Sequence, residues 1–195
     1  MKDDKLIGKG SALQIIYYLM AVDGEICKAE EEMFDSIGNE MLEELSWCSF
    51  DEVKPEILEA CKEQLDKVID QDEYYDVIRE GVEACFEKEE EQYYSDSEGI
   101  KGSMLMWNLM AASFCDGGYT NDERRLIKMV GRKLNLDKAL FLELENSAKA
   151  IYALDKEEVW LKTTDRPYKT IEDMISEISN RRAVIMQSVK ELMED

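Results

Sequence analysis

Residues 13–38 and 106–131 are two copies of one sequence repeat, and they read LQIIYYLMAVDGEICKAEEEMFDSIG and MWNLMAASFCDGGYTNDERRLIKMVG. An offset of 93 residues places the Asp-Gly pair at residues 23–24 on the Asp-Gly pair at residues 116–117. The same offset places apolar residues on apolar residues on both sides of the pair, with Ile16 on Leu109, Ile26 on Tyr119, Phe34 on Ile127 and Ile37 on Val130. The chain therefore contains a duplicated unit of helix, Asp-Gly turn and helix.

Apolar residues recur at helical spacing through both copies and through the segments that follow them. This spacing predicts helices over residues 9–22, 52–69, 73–91 and 103–115, and further helices that begin near residues 28, 121, 138 and 170. Gly24 closes the first helix, because glycine readily adopts the left-handed conformation at a helix end. We expect Gly38-Asn39 to break or bend the second helix.

Four of these helices have a recognisable start signal, and that of the helix over residues 73–91 is Asp72. Ser49 with Glu52, and Thr120 with Glu123, have the spacing of a capping box. Asp137 is placed to cap the helix that follows it. The sequence therefore predicts an all-α fold, a multi-helix bundle of about seven to eight helices built from two pseudo-symmetric helix-turn-helix repeats.

The same pattern divides the chain. Residues 1–153 are expected to form one helical domain, which holds the two repeats at about 10–48 and 103–148 and the helices between them. Residues 154–169 include Pro167 and are predicted to be a linker or a loosely helical bridge. Residues 170–195 are predicted to form a C-terminal amphipathic helix that packs on the same domain, and the alternative is that its apolar face binds a partner helix.

Charge limits the partners of this chain, because its 45 acidic residues exceed its 24 basic residues by 21. The excess lies in the first 100 residues, which hold 29 acids and 9 bases, whereas the rest holds 16 acids and 15 bases. Such a field repels nucleic acid and anionic membranes, so a protein partner with a basic surface is expected. A cytoplasmic location is expected too, because the sequence shows neither a membrane-spanning run nor a basic-then-apolar leader.

The residue types available for chemistry are also limited. Histidine is absent, which removes His-based acid-base catalysis and the usual zinc sites. The five cysteines are an odd set without a C-x-x-C pair, which is typical of buried structural thiols. We therefore expect a protein that is not an enzyme.

Carboxylates cluster at both Asp-Gly turns, and they are Asp23, Glu25, Glu30 and Glu31 in the first copy and Asp116, Asp122 and Glu123 in the second. Oxygen ligands of this kind suit Ca²⁺, Mg²⁺ or Mn²⁺. The turns are not EF-hands, because the twelfth loop position, where an EF-hand requires glutamate, holds Phe34 and Ile127. The alternative is ordinary helix termination, in which acids in the first turn interact with the helix N-terminus.

These residues resemble the tellurite-resistance TerB-like family. The resemblance covers about residues 10–150 and is clearest at residues 110–144, MAASFCDGGYTNDERRLIKMVGRKLNLDKALFLEL, with MAVDGEICKAEEEMFDSIG as the first copy. It implies a domain of duplicated helices in a stress response, with a divalent cation as cofactor. The ligands it implies are Asp23, Glu30, Asp116 and Glu123, and Glu25 and Asp122 are secondary candidates.

Three functions therefore stand as hypotheses. The first is a cytosolic TerB-like module for protein-protein interaction, with divalent-cation binding at the acidic turns. The second is a purely structural acidic adaptor that docks a basic protein without metal. The third is a metal-dependent hydrolase, because all-carboxylate sites can activate water.

Overall fold

The computed structural model describes residues 5–43, 48–70, 73–89, 99–117, 119–165 and 167–194. They belong to two compact units, Met1–Leu136 and Asp137–Asp195. The elements in the described ranges are β1 (Leu6–Gly8), α1 (Lys9–Met20), α2 (Lys28–Leu42), α3 (Phe50–Leu65), α4 (Tyr74–Glu89), β2 (Gly99–Lys101), α5 (Gly102–Phe114), α6 (Asn121–Lys133), α7 (Lys138–Lys162) and α8 (Tyr168–Glu194). The predicted all-α multi-helix bundle is confirmed. None of the helices in these ranges is both long enough and apolar enough to cross a bilayer.

Helices α1 and α5 form the centre of the first unit, because both are apolar around most of their circumference. The side chains that α1 and α5 bury include Ile15, Ile16 and Leu19 on α1 and Leu105, Met106 and Leu109 on α5. A helix that is hydrophobic all round has to be covered by other elements. Helix α1 is covered by α2, α3, α4, α5 and α6.

A two-stranded sheet relates the two copies by an approximate two-fold axis. Strands β1 and β2 are antiparallel, and Ile7 lies opposite Ile100. These two isoleucines are equivalent under the 93-residue offset, so each copy pairs with the other through the same residue. The repeats therefore begin at residues 6 and 99, before the expected starts near 10 and 103. Sequence periodicity does not predict these strands, because three residues are too few to show alternation.

The second helices of the two copies confirm this symmetry. Helix α2 packs on α1 of its own copy and on α5 of the other, whereas α6 packs on α5 of its own copy and on α1 of the other. Each helix-turn-helix unit therefore completes the core of its counterpart. A single copy could not cover both faces of its own first helix.

The predicted break at Gly38-Asn39 is wrong, because α2 continues to Leu42. Gly38 is buried against α3, and a Cβ atom at this position would overlap the Phe50 ring. The Phe50 ring also makes an edge contact with Phe34, with 5.4 Å between ring centroids. Glycine at position 38 therefore permits the close approach of α2 and α3 rather than ending a helix.

The predicted start signals of α3 and α7 are both present, and that of α4, Asp72, lies outside the described residues. The Ser49 amide donates to Oε2 of Glu52 at 3.2 Å, which is half of a capping box. The Asp137 carboxylate accepts hydrogen bonds from the amides of Ala139 at 2.7 Å and Leu140 at 3.3 Å. These contacts satisfy amides at the helix starts that lack a partner within the helix.

Of the two alternatives for residues 154–169, the structure has a helix over most of the segment, because α7 continues to Lys162. Leu154 and Leu161 lie seven residues apart on one face, and they form an apolar cluster with Ile171 and Ile178 of α8. Burial of this face favours a continuous helix up to the bend before Pro167. Helix α8 corresponds to the predicted C-terminal helix, and its packing on the repeat domain stays a prediction.

Candidate functional site

The two Asp-Gly turns have the same backbone conformation. The φ angles of Gly24 and Gly117 are 98° and 97°, in the left-handed region that favours glycine. The Gly24 amide donates to the Ala21 carbonyl oxygen at 3.0 Å, and the Gly117 amide donates to the Phe114 carbonyl oxygen at 3.4 Å. Donors and acceptors both obey the 93-residue offset, so the turns are structural equivalents.

The two glutamates of the predicted cation site each cap a helix. Oε2 of Glu30 accepts a hydrogen bond from the Cys27 amide at 2.7 Å, and Oε2 of Glu123 accepts one from the Thr120 amide at 2.6 Å. Their exposed fractions are only 4 % and 6 %. The predicted Thr120–Glu123 capping box is confirmed, because the Thr120 hydroxyl oxygen also accepts from the Glu123 amide. One carboxylate oxygen of each glutamate is thus engaged in a cap.

The aspartates of the two turns are exposed, unlike the glutamates. Oδ1 of Asp23 accepts a hydrogen bond from the amide of Glu25 at 3.2 Å, which stabilises the turn locally. Of the secondary candidates, Glu25 is exposed, and Asp122 forms a salt bridge with Arg125 at 2.9 Å. Asp122 is therefore already engaged by a cation of its own helix.

Electrostatic interactions link the two copies at these turns. Burial raises the pKa of Glu30, the hydrogen bond from Cys27 lowers it, and the charges of Asp23 and Asp116 raise it further. Burial also raises the pKa of Glu123, and Asp116 contributes in the same direction. Asp116 therefore acts on the glutamates of both copies. We call Asp23, Glu30, Asp116 and Glu123 the turn surface.

A buried hydroxyl adds an oxygen next to the turn surface. Ser113 on α5 is 1 % exposed, and its Oγ lacks a hydrogen-bond partner at normal geometry among the described residues. It lies near enough to Glu123 to lower the pKa of that carboxyl. Even so, the described part of the chain holds no group of three or more acidic or cysteine side chains arranged to bind a metal ion. The cation site stays a prediction.

The raised pKa values predict an unusual pH dependence of stability. A carboxyl whose pKa is higher in the folded state than in the unfolded state binds more protons when folded, so its ionisation destabilises the fold. The contributions of Glu30 and Glu123 are therefore most favourable below their usual pKa of 4.5 and are lost as pH rises through the folded pKa values. We expect this contribution to stability to increase as pH falls through the folded pKa values towards 4.5, measured by urea denaturation.

Substitution of both glutamates tests the origin of this effect. Glu30→Gln with Glu123→Gln should flatten the pH profile, because a glutamine carbonyl oxygen can still accept the capping hydrogen bond. Glu59→Gln with Glu63→Gln removes the same charge from exposed positions of α3 and should preserve the wild-type slope. Equal slopes in the two double variants would contradict a specific role for the capping glutamates.

A basic groove between α4 and α6 is absent from the sequence-based expectations. Its cationic residues are Arg79, Arg125, Lys128, Arg132 and Lys133. Four of them belong to the segment RRLIKMVGRK, residues 124–133, where bases recur at spacings of three and four. That spacing was a usable signal, because it places the bases on one helix face. The strongly negative net charge of the whole chain makes this basic face hard to recognise from composition.

Three comparisons bear on the family of this chain. The chain was compared with protein-family models, with curated proteins and with solved structures. None of the three gave a match, so the resemblance to the TerB-like family stays a prediction.

Proposed function

We propose that this protein is a non-enzymatic helical module that binds a protein partner through the turn surface, with a divalent cation as an additional ligand there. The supporting observation is that the carboxyl groups of Glu30 and Glu123 are buried, with exposed fractions of 4 % and 6 %, and that the pKa of Glu30, raised mainly by burial, is raised further by the charges of Asp23 and Asp116. Like charges so placed repel each other, and a basic side chain of a partner or a cation would relieve that repulsion. The turn surface is thus complementary to positive charge.

A role without catalysis is supported by the lack of histidine and by the state of two of the five thiols. The chain has no histidine to act as a general base. Burial, as the largest cause, raises the pKa of the Cys61 and Cys115 thiols to about 12. Since the thiolate is the reactive form, these two thiols are poor nucleophiles at neutral pH.

The chemistry of the turn surface favours a hard cation over a soft one. Carboxylate oxygens of Asp23 and Asp116, together with the carboxylate oxygens of Glu30 and Glu123 that are not engaged in caps, are ligands of the kind that Ca²⁺, Mg²⁺ and Mn²⁺ prefer. The Ser113 hydroxyl lies beside Glu123 and offers one more oxygen. We expect a bound ion to keep several water ligands. A role in a tellurite-type stress response is proposed from the family resemblance alone.

Thermal unfolding with added ions tests the cation. Ca²⁺, Mg²⁺ or Mn²⁺ at about ten times its Kd should stabilise the wild type by about 1.4 kcal/mol, a shift of roughly 3–6 °C in Tm. Asp23→Asn with Asp116→Asn should abolish the shift, whereas the Glu59→Gln, Glu63→Gln control should retain it. If none of the ions at millimolar concentration shifts the wild-type Tm, the cation is excluded.

A lysine-rich peptide tests the protein-binding surface separately. Its affinity should fall with salt, because the attraction is between exposed charges. At a given salt concentration, the Asp23→Asn, Asp116→Asn variant should bind the peptide more weakly than the Glu59→Gln, Glu63→Gln control does. Equal affinity for the variant and the control would reject the turn surface as the docking site. Binding that is unaffected by chelator would favour the purely structural adaptor.

A further inference from the structure

We propose that the groove between α4 and α6 binds a compact anion that carries two or more phosphoryl groups. The groove encloses about 510 Å³. Small-molecule sites commonly occupy about 300–1,000 Å³, so a ligand larger than a single phosphate is accommodated. This site is separate from the turn surface, and its test does not depend on the proposed function.

The groove concentrates positive charge in a strongly acidic protein. Five cationic side chains line it, and Glu83 is the acidic side chain among its lining residues. Lys128 and Lys133 are exposed, and the described part of the chain supplies no salt-bridge partner for either. Among the described residues, part of the positive charge in this groove therefore has no paired carboxylate.

The arginines of the groove are already partly positioned. Arg125 stacks on the Tyr75 ring, with its guanidinium carbon 4.1 Å from the ring centroid, and is also paired with Asp122. The Arg132 Nε donates to the Lys128 carbonyl oxygen at 3.1 Å, which leaves its two terminal nitrogens available. These contacts reduce the conformational entropy that binding would remove.

Arg79 gives an independent indication that an acceptor is missing. Its Nε is buried and has no hydrogen-bond partner among the described residues. Its terminal nitrogen lies 3.6 Å from Asp76, a long ion pair. A buried donor without an acceptor is unfavourable.

The basic residues of α6 are not required by the fold, because the equivalent helix α2 carries the opposite charge. Under the 93-residue offset, the bases that replace acids are Arg124 for Glu31, Arg125 for Glu32, Lys128 for Asp35 and Lys133 for Glu40. The packing that the two helices share, against α1 and α5, is thus achieved with either sign of charge. The positive charge on α6 consequently calls for an explanation outside packing.

The ligand class follows from charge and size together. Guanidinium groups form two parallel hydrogen bonds with phosphate oxygens, and several phosphoryl groups would match five cations. Tyr75 and Met129 supply apolar contact area in the same groove. Long polyanions and anionic membranes would extend onto a surface with a net charge of −21, which repels them. A compact soluble phosphate avoids this repulsion.

Calorimetric titration with inorganic tripolyphosphate tests the proposal at about 50 mM salt. We expect binding that weakens as salt is raised, since the contacts are between charges. Arg125→Gln with Arg132→Gln should weaken binding by at least about tenfold, because hydrogen bonds between charged groups are lost. Lys62→Gln with Lys190→Gln removes two exposed cations elsewhere and should leave the affinity within about twofold of the wild type. Glu83→Gln should strengthen binding.

Three outcomes would overturn the proposal. The first is no binding of tripolyphosphate at millimolar concentration. The second is equal weakening in the Arg125→Gln, Arg132→Gln variant and in the control. The third is tighter binding of an acidic peptide, such as a glutamate hexamer, than of tripolyphosphate. That result would assign the groove to a protein partner. Near-ultraviolet circular dichroism of each variant verifies that it is folded.

Discussion

Replacement of Phe50 by alanine is expected to lower the free energy of unfolding by about 3–5 kcal/mol, because a large buried ring is lost and a cavity remains. The Phe50 side chain is 2 % exposed and packs against both Phe34 and Gly38. Gly38→Ala alone should cost about 1–3 kcal/mol, because the new Cβ overlaps the same ring. Both values are measured by urea denaturation.

The double variant distinguishes this explanation from a general loss of helix packing. With alanine at position 50, the ring that opposes a Cβ at position 38 is gone, so the double variant should lose clearly less than the sum of the two single losses. Gly10→Ala is the matched control, because a Cβ there meets no atom within 4 Å. It should be neutral or stabilising by up to about 1 kcal/mol. Additive losses would contradict direct contact between Gly38 and Phe50.

Ile16→Ala and Leu109→Ala are expected to destabilise the protein by similar amounts, about 2–5 kcal/mol each. The two residues are equivalent in the two copies, and their exposed fractions are 0 % and 1 %. The approximate two-fold symmetry places each on a central helix that is enclosed by both repeats. Thermal and urea unfolding of the single variants measures the two losses.

An exposed apolar residue of the same helix provides the control. Met104 on α5 is 40 % exposed, so Met104→Ala should change the free energy of unfolding by less than about 0.5 kcal/mol. If Leu109→Ala lowered the free energy of unfolding by less than about 0.5 kcal/mol while Ile16→Ala lowered it by about 2–5 kcal/mol, the two helices would not occupy equivalent central positions.

Helix-forming residues made most of the fold predictable. The 3.6-residue periodicity of apolar side chains depends on which face is buried, and this information is local to each helix. The start signals at Ser49, Thr120 and Asp137 are also local, because each involves residues at most three apart. These features could be read without knowledge of distant contacts.

The features that the sequence does not predict correctly share a different cause, because each of them depends on tertiary contacts. Gly38 appears as a helix breaker in the sequence, yet its role depends on Phe50, twelve residues further along the chain. The predicted linker is helical because Leu154 and Leu161 face Ile171 and Ile178 of the next helix. Strand β1 depends on its pairing with β2, which lies 93 residues away.

The candidate site was predictable only in part. The sequence identified Glu30 and Glu123 as a matched pair, and their burial and caps required coordinates. Their electrostatic coupling to Asp116 depends on how the copies meet, which the spacing of residues does not specify. The basic groove is not evident from the sequence, because the net charge of the whole chain is strongly negative and because α4, which supplies Arg79, is far from α6 in the chain.

The pairing of Ile7 with Ile100 is an isologous contact, the kind that two identical chains make when they form a symmetric dimer. In such a dimer both second helices would have to be identical in charge. Because one polypeptide contains both halves, each half can diverge while the contact between them is kept. Helix α2 is accordingly acidic where α6 is basic, and a single symmetric scaffold presents two faces of opposite sign.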